Sequence, residues 1–274
     1  MTINCKGELI DLSTPRIMGI LNVTPNSFYD GGKYKTDVDF LNQVEKMLTD
    51  GADFIDLGAY SSKPSAEFVS EEEEIKRLVG VVTLLVNHFP GIKLSIDTFR
   101  AKVAQEAIEA GGAIVNDIAA GLLDDRMIEV VGELQVPYIM MHMRGNPKTM
   151  QSLTTYDDLV VDMRYYFSER LAHARAAKIN DVILDPGFGF AKTREQNYEL
   201  MAKLEHFHCF ELPLLVGISR KSMLYKLLDC TPQEALNGTS VLNTIALQKG
   251  AQIIRVHDVK EANEVRKILN QLMI

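Results

Sequence analysis

The stretch Met18-Gly19-Ile20-Leu21-Asn22-Val23-Thr24-Pro25-Asn26-Ser27-Phe28-Tyr29-Asp30-Gly31-Gly32 decides between the folds open to this chain. Its first four residues form a short apolar run, as in a parallel strand that is buried on both faces. The run ends at Asn22, and no helical pattern resumes until about Asp37. A connection of that length is expected to be either functional or a plain surface loop. A Rossmann-type sheet would carry a glycine fingerprint here, and Asn22-Val23-Thr24-Pro25 is not one.

The apolar run of this stretch recurs along the chain in alternation with helical periodicity. Predicted strands lie near residues 16–21, 53–57, 93–97, 113–117, 137–142, 181–185, 213–218 and 251–256. Predicted helices lie near residues 37–50, 70–88, 100–110, 124–134, 156–177, 194–205, 232–248 and 258–272. Crossover helices imply parallel strands, so this pattern predicts an α/β fold, a single (β/α)8 TIM barrel domain over residues 1–274. A short N-terminal hairpin is predicted over residues 2–12, and a doubly wound open sheet is the alternative fold.

Composition narrows the class of protein. Hydrophobic residues make up 46% of the 274 positions, which is enough for a large core. The formal net charge of −8 argues against a nucleic-acid partner. Cys5, Cys209 and Cys230 fit neither a disulfide framework nor a zinc site, which indicates a reducing compartment. Because we see no signal peptide and no apolar run long enough to span a bilayer, we expect a cytoplasmic protein with no membrane partner.

Polar residues close the predicted strands, at the end of a barrel where active sites lie. Taken singly, each residue has an ordinary interpretation as a helix cap or a turn residue. Eight strand ends that are all polar are poorly explained by coincidence, because buried polar groups need partners. The residues are Asn22, Asp56, Asp97, Asn116, His142, Asp185, the segment Ser219-Arg220-Lys221-Ser222, and Arg255 with His257.

These strand-end groups fall into two chemical sets. Asp97, Asn116 and Asp185 suit a flat heterocycle with several N–H donors, such as a 2-amino-4-oxo pyrimidine edge, because a carboxylate accepts two parallel hydrogen bonds. The second set is cationic and suits a phosphate or diphosphate. It comprises Lys63, Lys221, Arg255 and His257. Asn22 adds a hard oxygen ligand for Mg²⁺, which commonly takes only one or two protein oxygens when it binds a diphosphate.

Short motifs at the strand ends carry a resemblance to a known family over essentially the whole chain. They are Asn22-Val23-Thr24-Pro25, Ser27-Phe28, Asp30-Gly31-Gly32, Ser95-Ile96-Asp97-Thr98, Asn116-Asp117-Ile118, Met141-His142-Met143, Asp185-Pro186-Gly187-Phe188-Gly189-Phe190, Gly217, Ser219-Arg220-Lys221-Ser222 and Ile254-Arg255-Val256-His257-Asp258. Each motif is weak alone, but in this order the chain resembles the bacterial dihydropteroate synthase family. The resemblance implies a transferase of folate biosynthesis that condenses 6-hydroxymethyl-7,8-dihydropterin diphosphate with p-aminobenzoate, giving dihydropteroate and pyrophosphate. It also implies a homodimer that is a target of sulfonamides.

The resemblance assigns roles position by position. Pterin contacts are implied for Asp97, Asn116, Ile118, Met140, Asp185, Phe190, Gly217 and Lys221. Diphosphate contacts are implied for Asn22, Lys63, Arg255 and His257, with Asn22 also the Mg²⁺ ligand. The p-aminobenzoate pocket is implied for Phe28, Ser62, Pro64, Lys221 and Ser222, and loop closure for Asp30 and Lys63. The principal catalytic residues implied are Lys221, Arg255, His257 and Asp97.

The chain departs from the family pattern in its second loop. Ser61-Ser62-Lys63-Pro64-Ser65 stands where the family has Ser-Thr-Arg-Pro-Gly, so Lys63 keeps the charge but loses the planar fork of Arg. We expect altered affinity for p-aminobenzoate and for sulfonamides. Two alternatives stay open: a non-catalytic pterin-binding paralogue, which the changes in this loop do not exclude, and a pterin-dependent methyltransferase. The methyltransferase would not need the cations Lys221, Arg255 and His257.

Overall fold

An eight-stranded parallel sheet organises the chain. The computed structural model describes residues 1–23, 37–60 and 69–272. The sheet strands are β3 (Arg16–Asn22), β4 (Phe54–Gly58), β5 (Leu94–Asp97), β6 (Ile114–Asp117), β7 (Tyr138–Met141), β8 (Val182–Asp185), β9 (Leu215–Val216) and β10 (Ile253–Val256). Their order is β8-β7-β6-β5-β4-β3-β10-β9, and the edge strands meet where the Leu184 amide donates to the Pro213 carbonyl at 2.9 Å. The predicted barrel is confirmed, and each predicted strand is present within one or two residues, apart from the short β9.

Helices surround the sheet and alternate with its strands. They are α1 (Asp37–Asp50), α2 (Glu71–His88), α3 (Ala101–Glu109), α4 (Met127–Leu134), α5 (Leu159–Ala176), α6 (Arg194–Ala202), α7 (Ser222–Tyr225), α8 (Leu236–Gln248) and α9 (Val259–Leu272). The sequence pattern did not predict α7, which is a single turn after β9. Within the described residues, none of these helices is both long and apolar enough to cross a membrane.

A hairpin of β1 (Thr2–Cys5) and β2 (Glu8–Asp11) precedes the barrel, as predicted. Its turn residues Lys6 and Gly7 both have positive φ, which a two-residue type I′ turn requires. The apolar side of the hairpin packs on the first inward-facing layer of the barrel. That cluster joins Ile3, Cys5, Ile10 and Leu12 to Met18, Phe54, Ile114, Ile139, Ile183, Leu215 and Ile253. The hairpin therefore covers the N-terminal end of the barrel.

The strand pleat places the polar groups directly above this apolar layer. Side chains two residues apart on a strand share one face, so the next inward layer lies two residues further along each strand. The residues of that layer are Asp56, Asn116, Met141, Asp185, Gly217 and Arg255. One end of the barrel is thus apolar and covered, and the other is polar and forms the mouth.

Candidate active site

Arg255 links three strands at the barrel mouth. Its Nε lies 2.6 Å from Oδ2 of Asp56, and its Nη2 lies 2.7 Å from Oδ2 of Asp97. Asp56 is fully buried and also accepts from Ser95 Oγ at 2.6 Å and from Asn116 Nδ2 at 3.2 Å. Asp97 keeps 23% of its side-chain exposure, so it is the carboxylate of this network that a ligand reaches.

The charged groups of this network shift one another's pKa values. Burial raises the pKa of Asp97 to about 7, although Arg255 acts to lower it. Burial alone would lower the pKa of Arg255, but Asp56 and Asp97 outweigh that effect and raise it. Arg255 is therefore a permanent cation, whereas the charge of Asp97 depends on pH near neutrality.

Lys221 and Asp185 form a second charged pair of the mouth. Burial raises the pKa of Asp185, and Lys221 acts in the opposite direction. Burial lowers the pKa of Lys221 to about 8, and Asp185 acts to raise it. The Lys221 ammonium donates to the Phe188 carbonyl and lies 4.9 Å from the centre of the Phe190 ring. The loop after β8 thus places an aromatic ring and a cation side by side.

His257 lies beyond the end of β10, against Ser219. Its backbone N–H donates to Ser219 Oγ at 3.2 Å, and its Nδ1 lies 3.1 Å from the same oxygen. If the hydroxyl donates to Nδ1, both contacts are satisfied and Nε2 carries the ring proton, which makes it a donor suited to an anion. Nearby, Ser222 is the first residue of α7, after Lys221. Gly217 lies beside Arg255, because a Cβ at Gly217 would approach Arg255 Cβ to 3.8 Å.

Asn22 is the last residue of β3 and is paired in register with Gly58. Among residues 1–23, 37–60 and 69–272, no group of three or more His, Cys, Asp or Glu side chains is placed to hold a metal ion. An amide oxygen such as that of Asn22, together with substrate phosphate and water, fits the coordination habits of Mg²⁺.

The register corrects one predicted contact. Met140 is paired with Asp117 and Leu184 and is fully buried in the core cluster on the helical side of the sheet. Met141 is paired with Asp185, faces the mouth and packs in one cluster with Ile118 and Phe190. Met141, and not Met140, is therefore the methionine that faces the barrel mouth. The predicted wall residues Ile118 and Phe190 are brought together there.

Other predicted residues lie outside the described part of the chain. They are Phe28, Asp30, Ser62, Lys63 and Pro64. The roles assigned to them in p-aminobenzoate binding, diphosphate binding and loop closure stay predictions.

Sequence reasoning also missed a role. Asp56 was recognised as a polar strand end, but no function was assigned to it. In the structure it is the acceptor that orients both Arg255 and Asn116. Its position two residues after the inward-facing Phe54 was the available signal, because that spacing puts the carboxylate in the polar layer of the barrel.

The fold and the mouth together define a class of protein: a TIM-barrel enzyme whose site combines acceptors for a planar heterocycle with cations for an anion. Comparison with known proteins agrees. Residues 18–257 match the family model described as pterin binding enzyme. Dihydropteroate synthase of Escherichia coli strain K12 is 44% identical over 271 residues, which cover 98% of this chain and 95% of that protein.

Solved structures give the same result. The structure of Yersinia pestis dihydropteroate synthase with a sulfonamide drug complex has a TM-score of 0.95 and 44% identity, and covers 100% of this chain and 99% of that one. The Xanthomonas albilineans enzyme with 4-aminobenzoic acid has a TM-score of 0.91 and 33% identity, and covers 99% and 98% of the two chains. The chain belongs to the pterin-binding enzymes and, within them, to the dihydropteroate synthase family. The predicted family, fold class and enzyme class are confirmed.

Proposed function

We propose that the chain condenses 6-hydroxymethyl-7,8-dihydropterin diphosphate with p-aminobenzoate and releases pyrophosphate, as its family membership indicates. One observation carries the proposal for these residues. Arg255, a cation suited to an anion, donates directly to Asp97, an acceptor for a heterocycle. It also shares the buried carboxylate of Asp56 with Asn116. A substrate that holds both a pterin ring and a diphosphate satisfies both sets within one mouth.

The acceptors orient the pterin. Asp185 and Asp97 accept N–H groups of the ring as carboxylates, and Asn116 supplies an amide. The ring stacks between apolar walls that include Met141, Ile118 and Phe190. The electron-rich ring expels the diphosphate and leaves a cation-like methylene, which the aryl amine attacks. The protein's contribution is to orient the two substrates and to stabilise the departing anion.

The cations act on the leaving group. Arg255 and His257 supply N–H donors to the diphosphate, and Lys221, which lies against the Phe190 ring, would be placed beside the pterin ring. Mg²⁺ held by Asn22 and by the phosphate oxygens would neutralise part of the developing charge. The amine of p-aminobenzoate would enter beside Lys221 and Ser222, with Phe28, Ser62 and Pro64 closing its pocket. The relative solved with 4-aminobenzoic acid supports a site of this kind.

Assembly and location follow from the same proposal. The three cysteines are free thiols, which agrees with a reducing cytoplasm. A homodimer formed through the outer helices would leave the barrel mouth of each chain open to both substrates.

A coupled assay tests the proposed function. The protein, pterin diphosphate, p-aminobenzoate and Mg²⁺ are mixed, and pyrophosphate release is measured with and without p-aminobenzoate. We expect release that depends on p-aminobenzoate and is inhibited by a sulfonamide. Pterin binding without release would instead identify a non-catalytic pterin-binding protein.

A further inference from the structure

Lys192 is a buried lysine that nothing in the proposed reaction uses. It lies in the loop between β8 and α6, and only 4% of the residue is exposed. A lysine is almost never buried to this extent without dedicated partners. Its surroundings therefore indicate a specific role.

Three acceptors surround the Lys192 amine. Nζ lies 2.9 Å from Nδ1 of His142 and 3.0 Å from the carbonyl oxygens of Gly187 and Phe190. An ammonium has three N–H donors and matches this set, whereas a neutral amine has two. Burial lowers the pKa of His142 well below its usual value, so its ring is neutral, and in the Nε2–H tautomer Nδ1 is the acceptor that faces Lys192. Burial also lowers the pKa of Lys192 well below its usual value, whereas Asp185 acts to raise it and the three acceptors stabilise the ammonium form.

The carbonyls that Lys192 holds belong to the loop that shapes the pterin site. Gly187 donates its backbone N–H to Asp185 at 2.8 Å. Phe188 accepts from Lys221, and the Phe190 ring lies against the same ammonium. A shift of this loop would therefore displace the Phe190 ring and the carbonyl that holds Lys221, and both residues are assigned to the pterin.

We propose that Lys192 is a positioning residue for the pterin: its ammonium clamps the loop from Gly187 to Phe190 and keeps Asp185 ionised. The inference rests on the proposed function, because it assigns Asp185 to the pterin. The charged groups that face Asp185 are Lys221 after β9, Arg255 on β10 and Lys192. Those that face Lys192 are Asp185, Lys221 and Arg144, with neutral His142 in contact. Lys192 is thus the cation in the loop that follows Asp185.

Loss of the Lys192 charge should change the pH dependence of pterin binding. Lys192 acts to lower the pKa of Asp185, after Lys221 and Arg255. Its effect therefore belongs at the low end of the roughly 1–3 units by which a nearby opposite charge lowers the pKa of a carboxyl group. Lys192→Met and Lys192→Gln should therefore raise the midpoint of the acid limb of pterin binding by about one pH unit. We expect the KM for pterin diphosphate to rise by up to about tenfold on the acid side of this titration and to recover as the pH is raised. The KM for p-aminobenzoate should stay within about twofold, because that substrate does not contact Asp185.

Tyr156→Phe is the matched control. The Tyr156 hydroxyl donates to the Ala191 carbonyl at 2.8 Å, so the variant removes an anchor of the same segment without removing a charge. Tyr156→Phe should leave the midpoint of the acid limb of pterin binding unchanged. Lys192→Arg keeps the charge and should have the midpoint of the unmodified protein. A folded Lys192→Gln protein with an unshifted limb, or an equal shift in Tyr156→Phe, would overturn the proposal.

A measurement on the unmodified protein is independent of whether the variants fold. With ¹⁵N-labelled lysine, every side-chain resonance should be that of an ammonium at pH 7, and a neutral amine would contradict the clamp. Circular dichroism shows which variants fold, and Lys192→Gln replaces Lys192→Met if the latter does not. Failure of the unmodified protein to bind pterin or to release pyrophosphate would instead refute the proposed function.

Discussion

Lys221 is the residue that the proposed reaction assigns to both substrates. It lies against the Phe190 ring and donates to the Phe188 carbonyl, while burial lowers its pKa and the charge of Asp185 acts to raise it. Its pKa of about 8 leaves it protonated at neutral pH, so in the proposed reaction it would act as a cation near the departing diphosphate. A preorganised charge of this kind needs no reorganisation when the C–O bond breaks.

We therefore predict that Lys221→Ala lowers turnover by roughly 100-fold or more, the scale for one preorganised electrostatic contact. Asp185→Ala should have a comparable effect, because it removes a pterin acceptor. Steady-state pyrophosphate release measures both variants. Lys203→Ala is the control, since Lys203 forms a partly exposed ion pair with Glu199 on α6, and its activity should be unchanged. Near-normal kinetics for Lys221→Ala would contradict the role assigned to it.

Asp97 makes pterin binding sensitive to pH. Its folded pKa of about 7 lies above the ordinary value of 3.8, so the carboxyl group is protonated over a range where a free carboxyl group is ionised. In the proposed binding mode the pterin needs the ionised form of Asp97, so the affinity should fall by up to about tenfold for each pH unit below 7. Asp97→Asn should bind the pterin more weakly at pH 8. Its plot of log affinity against pH should be less steep by one, because one titrating proton has been removed. Calorimetric titration of a pterin between pH 5.5 and 8.5 tests this, and identical slopes for the two proteins would exclude the titration of Asp97.

Most polar residues of the barrel mouth could be predicted from the sequence, and the residues that could not be predicted have a physical reason in common. Polar residues that end an apolar run are visible in a sequence, and so Asp97, Asn116 and Asp185 were found. Tyr138–Met143 is buried on both faces of its strand, so the sequence there lacks the alternation that shows which methionine faces inward. Only the register distinguishes Met141 from Met140.

At the scale of elements, the site is a network between strands. Arg255 on β10 reaches Asp56 on β4 and Asp97 on β5, while Asn116 on β6 reaches Asp56. The existence of these strands followed from their apolar runs, and their parallel order from the helices between them. The ion pairs did not follow, because partners 199 and 158 residues apart in the chain depend on how the barrel closes. The loops after β3 and β4 carry sequence predictions that fall outside the described residues.

This network predicts a stability effect that differs between single and double variants. Arg255→Met leaves the carboxylate of Asp56 fully buried without its cation, and breaking a buried pair from one side typically costs about 3–5 kcal/mol. Asp56→Asn combined with Arg255→Met removes the stranded charge, so at least about half of that loss should be recovered. Urea denaturation gives the free energy of unfolding of each protein. Equal losses in the single and double variants would show that the charge of Asp56 is not the cause.

At the scale of the whole molecule, the two ends of the barrel differ in polarity. The hairpin buries one end in an apolar cluster, and the other end collects cations in a chain whose formal net charge is −8. The acidic remainder of the surface repels anions in general, whereas the mouth attracts one at a defined place. The outer helices form the exposed side surface of the barrel, and part of that surface is apolar.

That apolar surface leads to a prediction about assembly. Leu227, Leu228 and Val241 are exposed by 54%, 51% and 50%, on and just before α8. Leu228 packs on α8 at Gly238, where an added Cβ would come within 2.9 Å of its Cδ1. Gly238 and Val241 are three residues apart and share a face of α8, so Leu228 and Val241 form an apolar patch on that face. We propose that this patch contributes to the homodimer.

Val241→Glu should convert the dimer to a monomer, because it would bury a charge without a partner in the apolar interface. We expect the dissociation constant of the dimer to rise at least roughly 100-fold. Val161→Glu on α5 is the matched control: Val161 is similarly exposed, at 57%, but lies on another face of the helical layer. Sedimentation equilibrium at micromolar concentration measures both variants against the unmodified chain. A monomeric unmodified chain would refute the dimer, and dissociation by Val161→Glu alone would place the interface on α5 instead.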